Sequence, residues 1–119
     1  MKSKWQWTFL VLSMLGTGIV YAEMDGIVEF HIPKGTGDSP WNTLETIVEV
    51  NVGDTLRIIN DDDVAHRLHT FGKPCPHQDN NSESGEFYDC VVATRVDPRV
   101  DVFYDHNFGP TSRFYFRTK

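Results

Sequence analysis

The chain has 119 residues, enough for one domain and too few for a multidomain enzyme or an α/β barrel. It carries 11 Lys and Arg against 17 Asp and Glu, a formal net charge of −6 at pH 7. Because the acidic residues are scattered and no basic patch stands out, nucleic acid is not an expected partner. Hydrophobic residues make up 39% and aromatic residues 13% of the chain, too much for a disordered protein.

The N-terminal segment has the pattern of a secretory signal. Lys2 and Lys4 precede an apolar run that extends to about residue 15, and small residues at positions 20 and 22 mark a cleavage site. A single membrane anchor is the alternative, but the run is shorter than the roughly 20 residues that a bilayer core requires. The sequence therefore predicts a signal peptide over 1–22, and a mature domain over 23–119 that is periplasmic or extracellular and has no membrane span.

Short segments rich in β-branched and aromatic residues alternate with Gly, Pro and Asp turns along the mature chain. The predicted strands cover residues 27–32, 48–52, 56–59, 64–71, 91–94, 100–104 and 113–117. Residues 78–86 form a predicted polar loop, and no stretch has a helical period. The pattern indicates a single all-β domain, an antiparallel or mixed β-sandwich.

The chain contains two cysteines, Cys75 and Cys90. In an exported protein such a pair favours a disulfide, which would hold the polar loop between the two residues. The alternative is that one of the thiols is a metal ligand.

Histidine is the unusual residue of this sequence, with five copies at positions 31, 66, 69, 77 and 106. Because neighbours on a strand alternate between faces, we expect His66 and His69 to point in opposite directions and not to share one ion. His31 alternates with two apolar residues and is predicted to face solvent. The acidic run 61–63 is interpreted as a solvated turn, since the ligand spacing of a calcium loop is missing.

The segment VEVNVGDTLRIINDDDVAH, which ends at His66, resembles the cupredoxin pattern of a strand, G-D-T, a second strand, an N-D-D run and a histidine. The resemblance implies a Greek-key β-sandwich and assigns His66 as the first copper ligand. The segment VFYDHNFGPTSRFYFRTK falls where this family has a ligand loop with Cys, His and often Met, followed by the last strand. Here the loop has only His106, and Tyr104 or Asp105 stands at the thiolate position, so the resemblance implies a divergent member of this family.

These observations predict a histidine metal site. His66 and His106 form its expected core, and His77 or His69 completes it. Three imidazoles and a water suit Cu(II), and Zn(II) nearly as well. Copper, as Cu(II) or Cu(I), is the expected cofactor in preference to zinc.

The predicted function is copper binding by an exported protein, in copper handling or electron transfer, with a metal ion and a redox or copper-handling protein as partners. Catalysis is not expected, because the sequence lacks a G-x-S-x-G elbow, an H-E-x-x-H motif, a phosphate-binding glycine loop and a CxxCH haem site. The missing Cys and Met of the C-terminal loop suggest an alternative, a metal-free module of the same fold that binds a protein or a small molecule.

Overall fold

The computed structural model describes residues 21–24, 26–97, 99 and 102–119. Residues 1–20 of the predicted signal peptide lie outside this part of the chain. The described residues contain nine strands and a short 3-10 helix at Leu44–Thr46: β1 (Tyr21–Met24), β2 (Ile27–Ile32), β3 (Val48–Val50), β4 (Thr55–Asn60), β5 (Leu68–His69), β6 (Phe87–Val91), β7 (Phe103–Asp105), β8 (Gly109–Phe114) and β9 (Phe116–Thr118). The predicted all-β class is confirmed. Within the described ranges, no helix has the length and apolar character to cross a bilayer.

The strands form two layers. One layer is a four-stranded sheet in the order β1-β2-β4-β6, in which β2 and β4 are parallel and the outer pairs are antiparallel. The other layer contains the antiparallel strands β5-β7-β8 and the parallel pair β3-β9. This arrangement confirms the predicted β-sandwich.

Alternation of side chains along the strands builds the core. In β2 the residues Val28, Phe30 and Ile32 are buried, while the residues between them are half-exposed. The aromatic rings of Phe30 and Phe114, one from each layer, lie 4.8 Å apart between their centroids. Burial of such side chains stabilises the fold by about 1.5–3 kcal/mol each, so the inner faces of the two layers hold them together.

The G-D-T turn connects the two layers instead of closing a hairpin. Gly53 has a φ of +99°, a conformation that favours glycine, and the strands on either side of it belong to different sheets. The strand predicted over 48–52 ends at Val50, and Val52 is 45% exposed because it already lies in this turn. The prediction for this residue was wrong.

Two further predicted strands differ from the observed ones. The strand predicted over 64–71 is only the two-residue β5, preceded by an isolated bridge between His66 and Ser82. The strand predicted over 91–94 is β6, which lies four residues earlier at Phe87–Val91. β6 is an edge strand in which Cys90 is the buried residue, so it lacks the apolar alternation that marks the inner strands.

Cys75 and Cys90 form a disulfide, as predicted, with 5.4 Å between their Cα atoms. Both residues are buried in the core. The bond joins β6 to the segment that follows β5, and the backbone N–H of Ala93 donates to the carbonyl oxygen of Pro74 beside it, at 2.9 Å. The disulfide therefore anchors the polar loop between the two cysteines to the sandwich.

Candidate metal centre

Three histidine rings from different parts of the chain meet at one end of the sandwich. His69 lies in β5, His77 lies in the loop after the disulfide, and His106 lies in the turn between β7 and β8. Nε2 of His77 is 3.1 Å from Nδ1 of His69 and 3.1 Å from Nδ1 of His106. One donor atom from each ring lies within 4.8 Å of the other two. Neighbouring nitrogens at ordinary metal–nitrogen distances stand about 3 Å apart, so this spacing fits one metal ion.

The ring of His77 stands between the other two. Its plane is nearly perpendicular to those of His69 and His106, at 89° and 87°, with centroid distances of 4.8 Å in both cases. The rings of His69 and His106 are inclined by only 24° and lie 6.0 Å apart. His77 is thus the central donor of the group.

A backbone carbonyl fixes the proton of His77. Nδ1 of its ring is 2.9 Å from the carbonyl oxygen of Gln78, which can only accept a hydrogen bond. Nδ1 therefore carries the proton, and in the neutral ring Nε2 presents a lone pair to the other histidines. This is the tautomer that a metal ligand needs, and a carbonyl partner of this kind commonly orients metal-bound histidine.

Gln78 itself is held against β5. Its backbone N–H donates to the carbonyl of Leu68 at 3.1 Å, and its side-chain Oε1 accepts from the N–H of Leu68 at 2.8 Å. Its Nε2 donates to Ser82 Oγ at 2.8 Å. The amide side chain satisfies strand groups of β5 and so places the adjacent His77 beside His69.

Asp105 holds the turn that presents His106. One of its carboxylate oxygens accepts from the N–H of Asn107 at 2.9 Å, and the N–H of His106 donates to the carbonyl of Arg67 at 2.7 Å. The pairing of β7 with β8 shifts register between Tyr104 and Asp105. The irregular strand end brings His106 over the end of β5.

The environment of His69 keeps its ring neutral. The ring is half-buried, stacks on Tyr104 with 4.3 Å between centroids, and meets the edge of Phe71 at 4.9 Å. Burial lowers the pKa of His69, and the charges that His77 and His106 can carry lower it further. Nε2 is buried and has no hydrogen-bond partner, so Nδ1 is the atom that His69 offers to the group.

His66 does not lie with these three residues. Its ring is fully buried, its Nδ1 is hydrogen-bonded to the carboxylate of Asp105, and its Nε2 is 2.8 Å from Oδ2 of Asp62. Burial opposes a charge on this ring, but the two carboxylates outweigh it and raise the pKa of His66. The sequence paired His66 with His106 as the core of a site, whereas the structure places His66 in the sandwich and His69, His77 and His106 together outside it. His66 is buried whereas His69 is half-buried, and the two histidines belong to different groups, as the alternation of strand residues predicts.

Asp62 completes this buried network of Asp62, His66 and Asp105. It accepts hydrogen bonds from the backbone N–H groups of Gly35 at 2.7 Å and Gly37 at 2.8 Å. Burial opposes its ionisation, but these bonds and the one from His66 keep its pKa well below the ordinary range. The prediction of a solvated acidic run was therefore wrong for Asp62, although its two acidic neighbours are exposed.

Sequence reasoning missed Asp62 and Gln78. The spacing of four residues between Asp62 and His66 is the one signal that separates this aspartate from its neighbours, and nothing in the sequence marks Gln78 as a partner of β5.

Of the two residues predicted at the thiolate position, Asp105 is the one that bonds to His66, and it offers oxygen where a type 1 copper site has sulfur. The soft donor set of such a site does not fit here, whereas the three exterior histidines fit a nitrogen-bound ion.

No family model matches the chain, and no curated protein matches it. Solved structures do match. A purple cupredoxin from Nitrosopumilus maritimus is 23% identical with a TM-score of 0.52, over 76% of this chain and 98% of that one. The Cu(I) form of an amicyanin point mutant is 17% identical with a TM-score of 0.58, over 82% of this chain and 86% of that one. An oxidized amicyanin point mutant is 17% identical with a TM-score of 0.57, over the same shares of 82% and 86%. With these similarities and its two-layer arrangement of nine strands, the chain has the cupredoxin fold.

Proposed function

We propose that this chain is a copper-binding protein whose metal site consists of His69, His77 and His106. The observation that carries the proposal is the meeting of three ring nitrogens, one of them with its lone pair directed by a backbone carbonyl. Imidazole nitrogen suits both Cu(II) and Zn(II), and divalent copper binds more tightly than zinc to a given site of this kind. Copper is therefore the expected ion.

The donor set favours copper handling over electron transfer. A blue copper site exchanges electrons through a thiolate ligand, and both cysteines of this chain are joined in a disulfide. The carboxylate of Asp105 is engaged by His66. A site with nitrogen and oxygen donors and no sulfur binds Cu(II) well, but it does not support the fast electron exchange of a blue copper site.

Loss of binding in single variants tests the site. We expect the wild-type protein to retain one Cu(II) per chain after desalting, and His77→Ala or His106→Ala to weaken the affinity by more than about 100-fold, beyond the loss that a missing outer-sphere partner causes. The matched control is His31→Ala, because His31 is partly exposed and pairs with Asp61 at 2.7 Å, away from the cluster. Equal Cu(II) affinity in wild-type protein and His77→Ala would overturn the proposal.

Export is the second part of the proposal. It is supported by the disulfide, which is typical of oxidising compartments, and by the signal pattern in residues 1–22. Intact mass of the protein recovered from an export-competent host tests it. We expect the mass of residues 23–119 less two hydrogens, and a mass that retains the first 22 residues would contradict export by cleavage.

A further inference from the structure

The three histidines occupy only part of the coordination sphere of a Cu(II) ion. Square-planar or tetragonal Cu(II) takes four or more ligands, and the group found among the described residues offers three nitrogens. His69 is half-buried and stacks on Tyr104, while His106 is exposed. At least one coordination position therefore faces solvent, as in other metal sites that keep a position for an outside ligand.

An exposed aromatic side chain contacts one of the three histidines. Phe71 is 79% exposed, yet its ring keeps an edge contact with His69. Its turn is ordered by Thr70, whose hydroxyl accepts from the N–H of Gly72 at 3.1 Å and donates to the carbonyl of Cys75 at 2.9 Å. The ordered turn thus presents a solvent-exposed aromatic ring next to His69.

Charge and shape favour one class of outside ligand. The chain has a formal net charge of −6, which disfavours an anion near the site. A neutral planar nitrogen heterocycle can coordinate the ion and at the same time pack against an aromatic ring. Among protein side chains, imidazole has both properties.

We propose, resting on the function proposed above, that the open position takes the imidazole of a histidine from a partner protein, packed against Phe71. A shared intermediate of this kind lets Cu(II) pass from three histidines of this chain to a histidine-bearing partner by ligand exchange, without release of the hydrated ion. Copper is then a cargo of the site, and Phe71 determines which donor receives it.

Free imidazole is the probe for this inference. Cu(II)-loaded protein is titrated with imidazole and, separately, with azide, and the electron paramagnetic resonance spectrum reports each ligand. We expect imidazole to bind more tightly than azide and to add one coupled nitrogen. Phe71→Ala should weaken imidazole binding to the Cu(II)-loaded protein by about three- to tenfold, the size of one aromatic contact, relative to azide binding by the same loaded variant. The matched control is Phe87→Ala, because Phe87 is 54% exposed and its ring packs against the guanidinium of Arg57.

The outcomes separate this inference from the proposed function. Failure of the wild-type protein to bind Cu(II) would overturn both. Retained Cu(II) with no spectral response to imidazole, equal affinity for imidazole and azide, or an equal loss in Phe71→Ala and Phe87→Ala would overturn the inference alone. Removal of Cu(II) from the protein by imidazole at concentrations that give no mixed complex would also overturn it.

Discussion

His66 has a carboxylate on each of its two ring nitrogens and no contact with solvent. Such a ring is stabilised in its doubly protonated form, because each N–H then donates to an ionised acceptor. In this chain the histidine that the resemblance assigned as the first copper ligand is the centre of a buried network with Asp62 and Asp105. Both ring nitrogens of His66 are therefore bonded to carboxylates, and neither is free to bind the metal that the resemblance assigned to this residue.

Replacement of His66 by alanine should destabilise the fold strongly. The substitution leaves Asp62 and Asp105 buried without their shared cation, and breaking a buried pair in this way costs about 3–5 kcal/mol. Urea unfolding monitored by tryptophan fluorescence measures the loss. His31→Ala removes a partly exposed pair and should cost no more than about 1 kcal/mol, so equal effects of the two substitutions would contradict a structural role for the network.

The same network predicts how stability depends on pH. The pKa of His66 is raised above its ordinary value of 6.5. The stability that His66 contributes to the folded state is therefore fully present below pH 6.5 and is lost as the pH rises through the pKa of the folded state. The pKa of Asp62 is lowered below 3.8, so its contribution is full above that value and is lost as the pH falls through the folded pKa. The free energy of unfolding should therefore be highest between about pH 4 and pH 6.5. A profile in His66→Gln that keeps the wild-type decline on the alkaline side would exclude His66 as its source.

The candidate ligands could be predicted from the sequence, but their grouping could not. His69, His77 and His106 stood out because histidine is frequent in the predicted loops and strand ends. The alternation of strand residues separated His69 from His66. The position of His77 depends on the side chain of Gln78, which substitutes for a strand partner of β5, and a long-range contact of this kind leaves no local pattern.

At the level of elements, the inner strands β2 and β4 were predictable and the edge strand β6 was not. β2 and β4 alternate between buried and half-exposed residues over six positions each, so their hydrophobic period is visible. β6 lies at the edge of the sheet, and Phe87 and Val91 are exposed there. Its attachment comes from the pairing with β4 and from the disulfide, neither of which requires apolar alternation.

Removal of the disulfide tests this attachment. The bond spans 15 residues, and the chain-entropy model gives about 3 kcal/mol of stability for a loop of that size. We expect the double substitution of Cys75→Ser and Cys90→Ser to lower the free energy of unfolding by about that amount and to leave the inner sheet intact. Equilibrium unfolding measures the change. Alkylation of two thiols in unreduced wild-type protein would contradict the bond.

For the whole molecule, the fold could be assigned because the G-D-T turn and the N-D-D run followed by a histidine are local sequence features, and the pattern of predicted strands along the rest of the chain agrees with them. The type of metal site could not be assigned in this way, since it depends on which side chains share an end of the sandwich.

With both cysteines in the disulfide, the Cu(II)-loaded protein should be pale. An intense visible band that disappears in Cys75→Ser and persists in Cys90→Ser would show a thiolate ligand.

Binding of Cu(II) should raise the thermal stability of the folded chain by mass action. Three ligands that are close together only in the folded state bind the ion better than the unfolded chain does, and free Cu(II) at 100 times the dissociation constant adds about 2.7 kcal/mol. The increase in Tm should be smaller at acidic pH, because protonated imidazole does not bind metal. Differential scanning calorimetry with and without Cu(II) at two pH values measures both effects. His106→Ala, which removes an exposed ring, should abolish the Cu(II)-dependent increase while leaving the Tm of the metal-free protein close to that of the wild type. An increase of equal size in wild-type protein and in His106→Ala would assign the ion to another site.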